Sequence, residues 1–189
     1  TAKNKDVVIM VLGEHGFQTG EGRSRTNLKL PGIQQELLEA VYNVNKNIVL
    51  VLMNGRPLAI NWANKNVPSI LEAWHLGSQS GNAIAQVLYG DYNPSGKLPM
   101  TFPKNVGQVP IYYNYKNTGR PGPANAVFWS HYNDEVNTPL YPFGYGLSYT
   151  SFKYSDLKID NKTLSNNNSI NVSVNLENSG EFKGKEVVQ

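Results

Sequence analysis

Two uninterrupted apolar runs dominate the hydrophobic pattern, Val7-Val8-Ile9-Met10-Val11-Leu12 and Ile48-Val49-Leu50-Val51-Leu52-Met53. Both are short, rich in β-branched residues and free of alternation, as expected of strands buried on both faces of a parallel sheet. Between them Ile33, Leu37, Leu38 and Val41 recur at helical spacing. Pro31 marks the expected helix start, and Asn45 and Asn47 the stop. After the break at Pro68, Ser69 to Trp74 predicts a third strand. The small-residue turn Gly77 to Gly81 then leads to a helix carrying Ala83, Ile84, Val87 and Leu88. Strand, helix, strand, strand, helix is the order of a doubly wound α/β layer. The first run reads as a central strand that needs partners on both sides, and three strands make a poor sheet, so missing neighbours from an absent N-terminal part of the domain are expected.

The pattern changes at Gly90. Asp91 to Tyr149 is rich in Pro, Gly, Asn and Tyr and has little periodicity, and is expected to wrap the sheet. Beyond it, Phe152, Tyr154 and Leu157 lead in to Ile170, Val172, Val174 and Leu176, which alternate with polar residues. That alternation predicts a half-buried antiparallel strand and a β-sandwich beginning near Ser155. The chain closes on Glu186-Val187-Val188-Gln189, which reads as the middle of a strand, so a fragment of a longer protein is expected.

Composition narrows the class. A hydrophobic fraction of 40% with 16% charged residues belongs to a folded chain rather than a disordered one. The net charge of +3 is small and its lysines are dispersed, which leaves no nucleic-acid footprint. With no cysteine there is neither a disulfide framework nor a thiolate metal site. No run is long enough to insert in a membrane as a helix, and Thr1 to Asp6 is not a signal peptide.

Candidate chemistry concentrates in Gly13 to Gly32, GEHGFQTGEGRSRTNLKLPG, between the first strand and the first helix. Ligands of open α/β sheets bind outside the carboxyl ends of the strands. The loop carries Glu14, Glu21, His15, Arg23 and Arg25. Glycosidic cleavage needs two carboxyl groups, one to protonate the leaving oxygen and one to attack or to activate water. From spacing alone, Glu14 and Glu21 are that pair, or one is catalytic and the other binds hydroxyls, or both are solvated partners of Arg23 and Arg25. Phosphate binding fits poorly. The glycines at 13, 16, 20 and 22 match neither the dinucleotide fingerprint nor a Gly-Lys-Ser/Thr ending. His15, His75 and His131 are too scattered for a metal motif, and neither a metal nor another cofactor is expected. Asn54 and Arg56 after the second strand either bind a polar ligand or tie neighbouring segments together, and His75 either lines the same cleft or is structural.

Taken in order, the motifs resemble glycoside hydrolase family 3. They are Gly13-Glu14, Gly20-Glu21-Gly22-Arg23-Ser24-Arg25, Leu30-Pro31-Gly32 with Gln34 and Gln35, and Val51-Leu52-Met53-Asn54-Gly55-Arg56-Pro57-Leu58. The series continues with Gly90-Asp91-Tyr92-Asn93-Pro94-Ser95-Gly96-Lys97-Leu98-Pro99 and with Tyr112-Tyr113-Asn114 followed by Asn117-Thr118-Gly119-Arg120-Pro121. It ends with Tyr141-Pro142-Phe143-Gly144-Tyr145-Gly146-Leu147-Ser148-Tyr149. The resemblance implies the family's second domain, a three-layer αβα sandwich with a mostly parallel sheet, over residues 1–154. A fibronectin type III-like β-sandwich would start in residues 155–189. It implies retaining hydrolysis of terminal, non-reducing β-D-glucosyl residues in a β-glucoside or oligosaccharide. Glu21 would be the acid/base, and an aspartate of a TIM-like barrel domain, absent here, the nucleophile. Glu14, His15 and Arg25 would be substrate-binding, Glu14 in a structural or supporting way, with the arginines turned away from Glu21 toward other acceptors. The likeness to bacterial periplasmic members implies a periplasmic or secreted location. The chain alone is expected to be inactive. The rival expectations are a β-xylosidase of the same family and a non-catalytic carbohydrate-binding or scaffolding module.

Overall fold

The computed structural model describes residues 1–117, 119–120, 128–166 and 168–189, so Thr118 and Pro121 of the Asn117–Pro121 motif lie outside the described residues. Two compact units are present, residues 1–84 with 98–145, and residues 85–97 with 146–189. The first holds strands β1 (Val8–Gly13), β2 (Ile48–Met53) and β3 (Ser69–Glu72) and helices α1 (Gln34–Val44) and α2 (Asn61–Asn66). Helix α3 (Ser80–Leu88) spans the boundary in sequence.

The three strands are parallel in the order β1-β2-β3, with Val8 opposite Ile48 and Leu50 opposite Ile70. Parallel neighbours need a crossover, and α1 and α2 supply it. Leu38 of α1, Ile48 and Leu50 of β2, and Leu58 are all fully buried in one cluster. Tyr42 of α1 and Trp62 of α2 meet edge to face at 5.2 Å, which fixes the helices against each other. Helix α1 ends at Asn45, whose extended backbone breaks the helix while its side chain donates to the Ala2 and Lys5 carbonyls.

Four expectations change. First, β1 is an edge strand of this sheet, not a central one. Met10 and Leu12 are buried on the α1 side, but Ile9 is 47% and Val11 56% exposed on the other. Second, Pro31 does not start α1. It lies in the preceding turn, where its carbonyl accepts from Gln34 N–H and Gly32 has φ +58°. Third, the six residues Asn61–Asn66 form a helix between β2 and β3 that no periodicity announced, because they are few and rich in Asn, a weak helix former. Fourth, β3 stops at Glu72, since Trp74 takes φ +51°, which no strand residue adopts.

The described residues between 98 and 145 are mostly irregular, as the composition predicted, and Phe102 anchors them. It is 1% exposed, its N–H donates to the Tyr141 carbonyl, and its ring meets Trp74 and Tyr141 edge to face. Buried Gln108 adds a second anchor, accepting from Lys104 N–H and donating to the Val136 carbonyl.

In the second unit, β4 (Phe152–Ile159) and β5 (Val172–Asn178) form an antiparallel pair with an irregularity between Ser155 and Lys158. The half-buried alternation expected of β5 is not realised. Val174 is half-buried, but Val172 is 63% and Leu176 42% exposed, because the sheet of this unit has two strands and no further strand of the unit packs on it among the described residues. Asn93 ties the segments of this unit together. Its Oδ1 accepts from Ser148 Oγ and Tyr149 N–H, and its Nδ2 donates to the Lys183 carbonyl.

Candidate active site

The carboxyl ends of the three strands lie side by side and present Glu14, Asn54 to Arg56, and Glu72. The loop leaving β1 is fixed where it begins. Gln34, the first residue of α1, both accepts from Gly13 N–H (2.7 Å) and donates to the Gly13 carbonyl (2.8 Å), and Glu14 N–H donates to the Met53 carbonyl (2.8 Å). Gly13 has φ +136°, and a Cβ there would collide with the Met53 carbonyl, so only glycine lets β1 pass this close.

Glu14 is sealed, its side chain fully buried. Oε1 accepts from Arg25 Nη1 at 2.7 Å, Oε2 accepts from Gly55 N–H at 3.2 Å, and Arg56 Nε lies 3.0 and 3.2 Å from the two oxygens. The guanidiniums continue outward. Arg25 Nη2 donates to the Lys29 carbonyl (3.0 Å), and Arg56 Nη2 donates to the carbonyls of Gln18 (2.8 Å) and Arg23 (2.7 Å). Charge-assisted bonds of this kind are the strong ones.

Glu21 is the opposite case. It occupies the second position of a turn closed by Arg23 N–H donating to the Gly20 carbonyl at 3.1 Å, with Gly22 at φ +68° in the third position, where a positive φ favours glycine. Its side chain is exposed and has no hydrogen bond or ion pair among the described residues. His15 is exposed near the start of the loop. Its backbone N–H donates to Gln18 Oε1 and its Nδ1 accepts from Phe17 N–H. The two loop carboxylates therefore differ in kind, one saturated and buried, one open to solvent. Of the expected site residues, Glu14 and Arg25 bond directly, while His15 and Glu21 share their loop without touching them.

Arg56 performs the tying role rather than presenting itself to solvent, and His75 is exposed just past β3. Glu72 was not anticipated. Burial pushes its carboxyl up from 4.5 to about 7, against the opposing pull of hydrogen bonds from Trp74 N–H and from Asn54 Nδ2. The signal was available, since Glu72 is the one charged residue closing the apolar Ile70-Leu71 strand. Asn54 is fully buried. Its Nδ2 also donates to the Arg56 carbonyl at 2.9 Å, and its Oδ1 has no partner among the described residues.

Because the folded state holds the Glu72 proton more tightly than the unfolded chain, stability from this group is full below pH 4.5 and is lost as pH rises through 7. The loss amounts to about 3 kcal/mol at its limit, at roughly 1.4 kcal/mol per pH unit of separation. Glu72→Gln is expected to flatten the fall in unfolding free energy between pH 5 and 8. Denaturant titrations at fixed pH check this, and an unchanged slope would refute it.

The fold and the site define an α/β domain whose β1 loop carries one solvated carboxylate and, at the carboxyl end of the sheet, one buried carboxylate held by two guanidiniums. Among the described residues no group of three His, Asp or Glu side chains is placed to hold a metal ion, and no helix is long and apolar enough to cross a membrane. Residues 1–149 match the glycosyl hydrolase family 3 C-terminal domain. The whole chain is 49% identical to a periplasmic β-glucosidase of Salmonella typhimurium and 45% identical to a β-xylosidase of Formosa agariphila, spanning 25% of each. It is similar in structure to the Listeria innocua β-glucosidase crystallised with glucose, with a TM-score of 0.89 and 40% identity over 96% of this chain and 26% of that one. The chain belongs to glycoside hydrolase family 3, and it spans about a quarter of the length of these relatives.

Proposed function

We propose that this chain is the acid/base-bearing part of a retaining β-glucosidase that removes terminal, non-reducing β-D-glucosyl residues. Glu21 is the acid/base, and the nucleophile is an aspartate on an N-terminal barrel domain outside this chain. The observation that carries the reading is the contrast between the two carboxylates. Glu21 stands exposed at the tip of a backbone-defined turn, while the carboxylate of Glu14 is consumed by Arg25, Arg56 and Gly55. A retaining pair needs its carboxyl groups about 5–5.5 Å apart, a spacing that two domains reach by packing a projecting turn over a pocket. On this reading Arg25 and Glu14 support the loop from beneath, and exposed His15 lies on the substrate side.

The parallel sheet with its helices supports the three-layer sandwich expected of the family, with neighbours from outside this chain covering the exposed face of β1. The antiparallel β4–β5 pair supports a fibronectin type III-like sandwich opening in residues 155–189. A periplasmic or secreted location belongs to the same proposal and rests on the name of the Salmonella relative.

The test is the whole protein against this chain alone, on aryl β-glucosides, with product configuration followed by NMR. The whole protein is expected to release β-glucose first and the isolated chain to show no turnover. Inverted product, or turnover by the chain alone, would overturn the division of labour. The Formosa relative favours xylose as the second reading. Faster turnover of aryl β-xylosides than of aryl β-glucosides by the whole protein would select it.

A further inference from the structure

We propose that Arg56 is the positioning residue for the Glu21 turn. The inference rests on the acid/base reading of Glu21 and adds how that carboxylate is held. A single nitrogen of Arg56, Nη2, donates to the carbonyls of Gln18 (2.8 Å) and Arg23 (2.7 Å). The chain therefore leaves and returns to one point, and Glu21 projects from the short arc between. The other side of the same guanidinium, Nε, is fixed on the buried Glu14 carboxylate. A guanidinium is a planar, rigid fork, so the position of Glu14 dictates where both loop carbonyls sit.

Arg56 is itself held. Asn54 Nδ2 donates to its carbonyl, Asn54 is fully buried with Glu72 as its other partner, and Gly55 N–H donates to Glu14 Oε2. A Cβ on Gly55 would collide with the Thr19 hydroxyl, so the loop also rests directly on the Asn54–Arg56 backbone. The Arg56 bonds to the arc go to its main chain, at Gln18 and Arg23, and leave the Glu21 carboxylate alone.

Placement of a general acid is strict, and a shift of about 1 Å costs on the order of 100-fold in rate. Lysine at 56 would keep a cation beside Glu14, but a single ammonium cannot reproduce the fork that joins Glu14 to both carbonyls. The experiment is Arg56→Lys in the whole protein, with Glu21→Ala alongside. Two readouts are taken: kcat/KM on β-glucosides with poor and good leaving groups, and amide hydrogen exchange over residues 18–23.

The expected result is faster exchange in that segment and a roughly 30-fold loss on the poor leaving group against less than about 3-fold on the good one. In Arg56→Ala, millimolar guanidinium is expected to restore part of the ratio between substrates. Unchanged exchange, or equal losses on both substrates beside a selective Glu21→Ala, overturns the inference alone. If Glu21→Ala is itself unselective, the acid/base reading falls and takes the inference with it. If neither Arg56 variant folds, Arg56 is a residue of the fold rather than of the turn, and the inference is overturned.

Discussion

Glu21→Ala in the whole protein is expected to cut kcat/KM by about 100- to 10,000-fold on a β-glucoside with a poor leaving group, the range typical of a lost general acid. An activated aryl glucoside, whose departing phenolate needs no proton, should be largely spared in the same parameter. The second half-reaction is diagnostic as well. Without a general base, water attacks the glycosyl-enzyme slowly, so kcat and KM on the activated substrate should fall together. Azide, an anion that needs no deprotonation, should restore turnover and appear in the product as β-glucosyl azide. The exposed, partnerless side chain makes the comparison clean, because removing it breaks no contact among the described residues. Equal loss on both substrates with no effect of azide would reject Glu21 as the acid/base.

Glu14→Ala should act mainly on stability. The substitution removes a fully buried side chain and with it the shared acceptor of Arg25, Arg56 and Gly55 N–H. Removing one partner of a buried ion pair costs about 3–5 kcal/mol, because the remaining charges stay desolvated. Both arginines keep roughly a fifth of their side-chain surface exposed, which places the expectation near the lower end of that range. The unfolding midpoint of the whole protein, followed in denaturant, reads the change. Glu14→Gln should be milder, since an amide oxygen still accepts from one donor, although its NH2 then faces a guanidinium. An intact midpoint with a raised KM would instead make Glu14 a direct substrate ligand.

The parallel sheet was legible because Val7 to Leu12 and Ile48 to Met53 carry their signal in every residue, and the loop was legible because carboxylates and glycines crowd the end of the first run. Periodicity did not reveal which strand lies at an edge. An apolar run has the same pattern whether or not a neighbouring strand or layer covers it, and Ile9 and Val11 are exposed for lack of a covering layer among the described residues. Helix α2 escaped because six residues make less than two turns. Within the site, sequence spacing left Glu14 and Glu21 equivalent. What separates them is non-local, since the Gly55 and Arg56 contacts to Glu14 come from a loop some forty residues further along. The place of Glu72 at the end of an apolar strand was legible, but its elevated proton affinity was not, because it arises from burial by distant segments.

The strand ends hold the loop after β1 mainly through its peptide oxygens, Gln34 at Gly13 and Arg56 at Gln18 and Arg23, and through the one buried side chain of Glu14. A contact to the main chain is indifferent to what the residue carries. Exposed positions such as Arg23, Ser24 and Thr26 are therefore free to drift, so that selection or a designer can change the chemistry the loop displays while its path stays fixed.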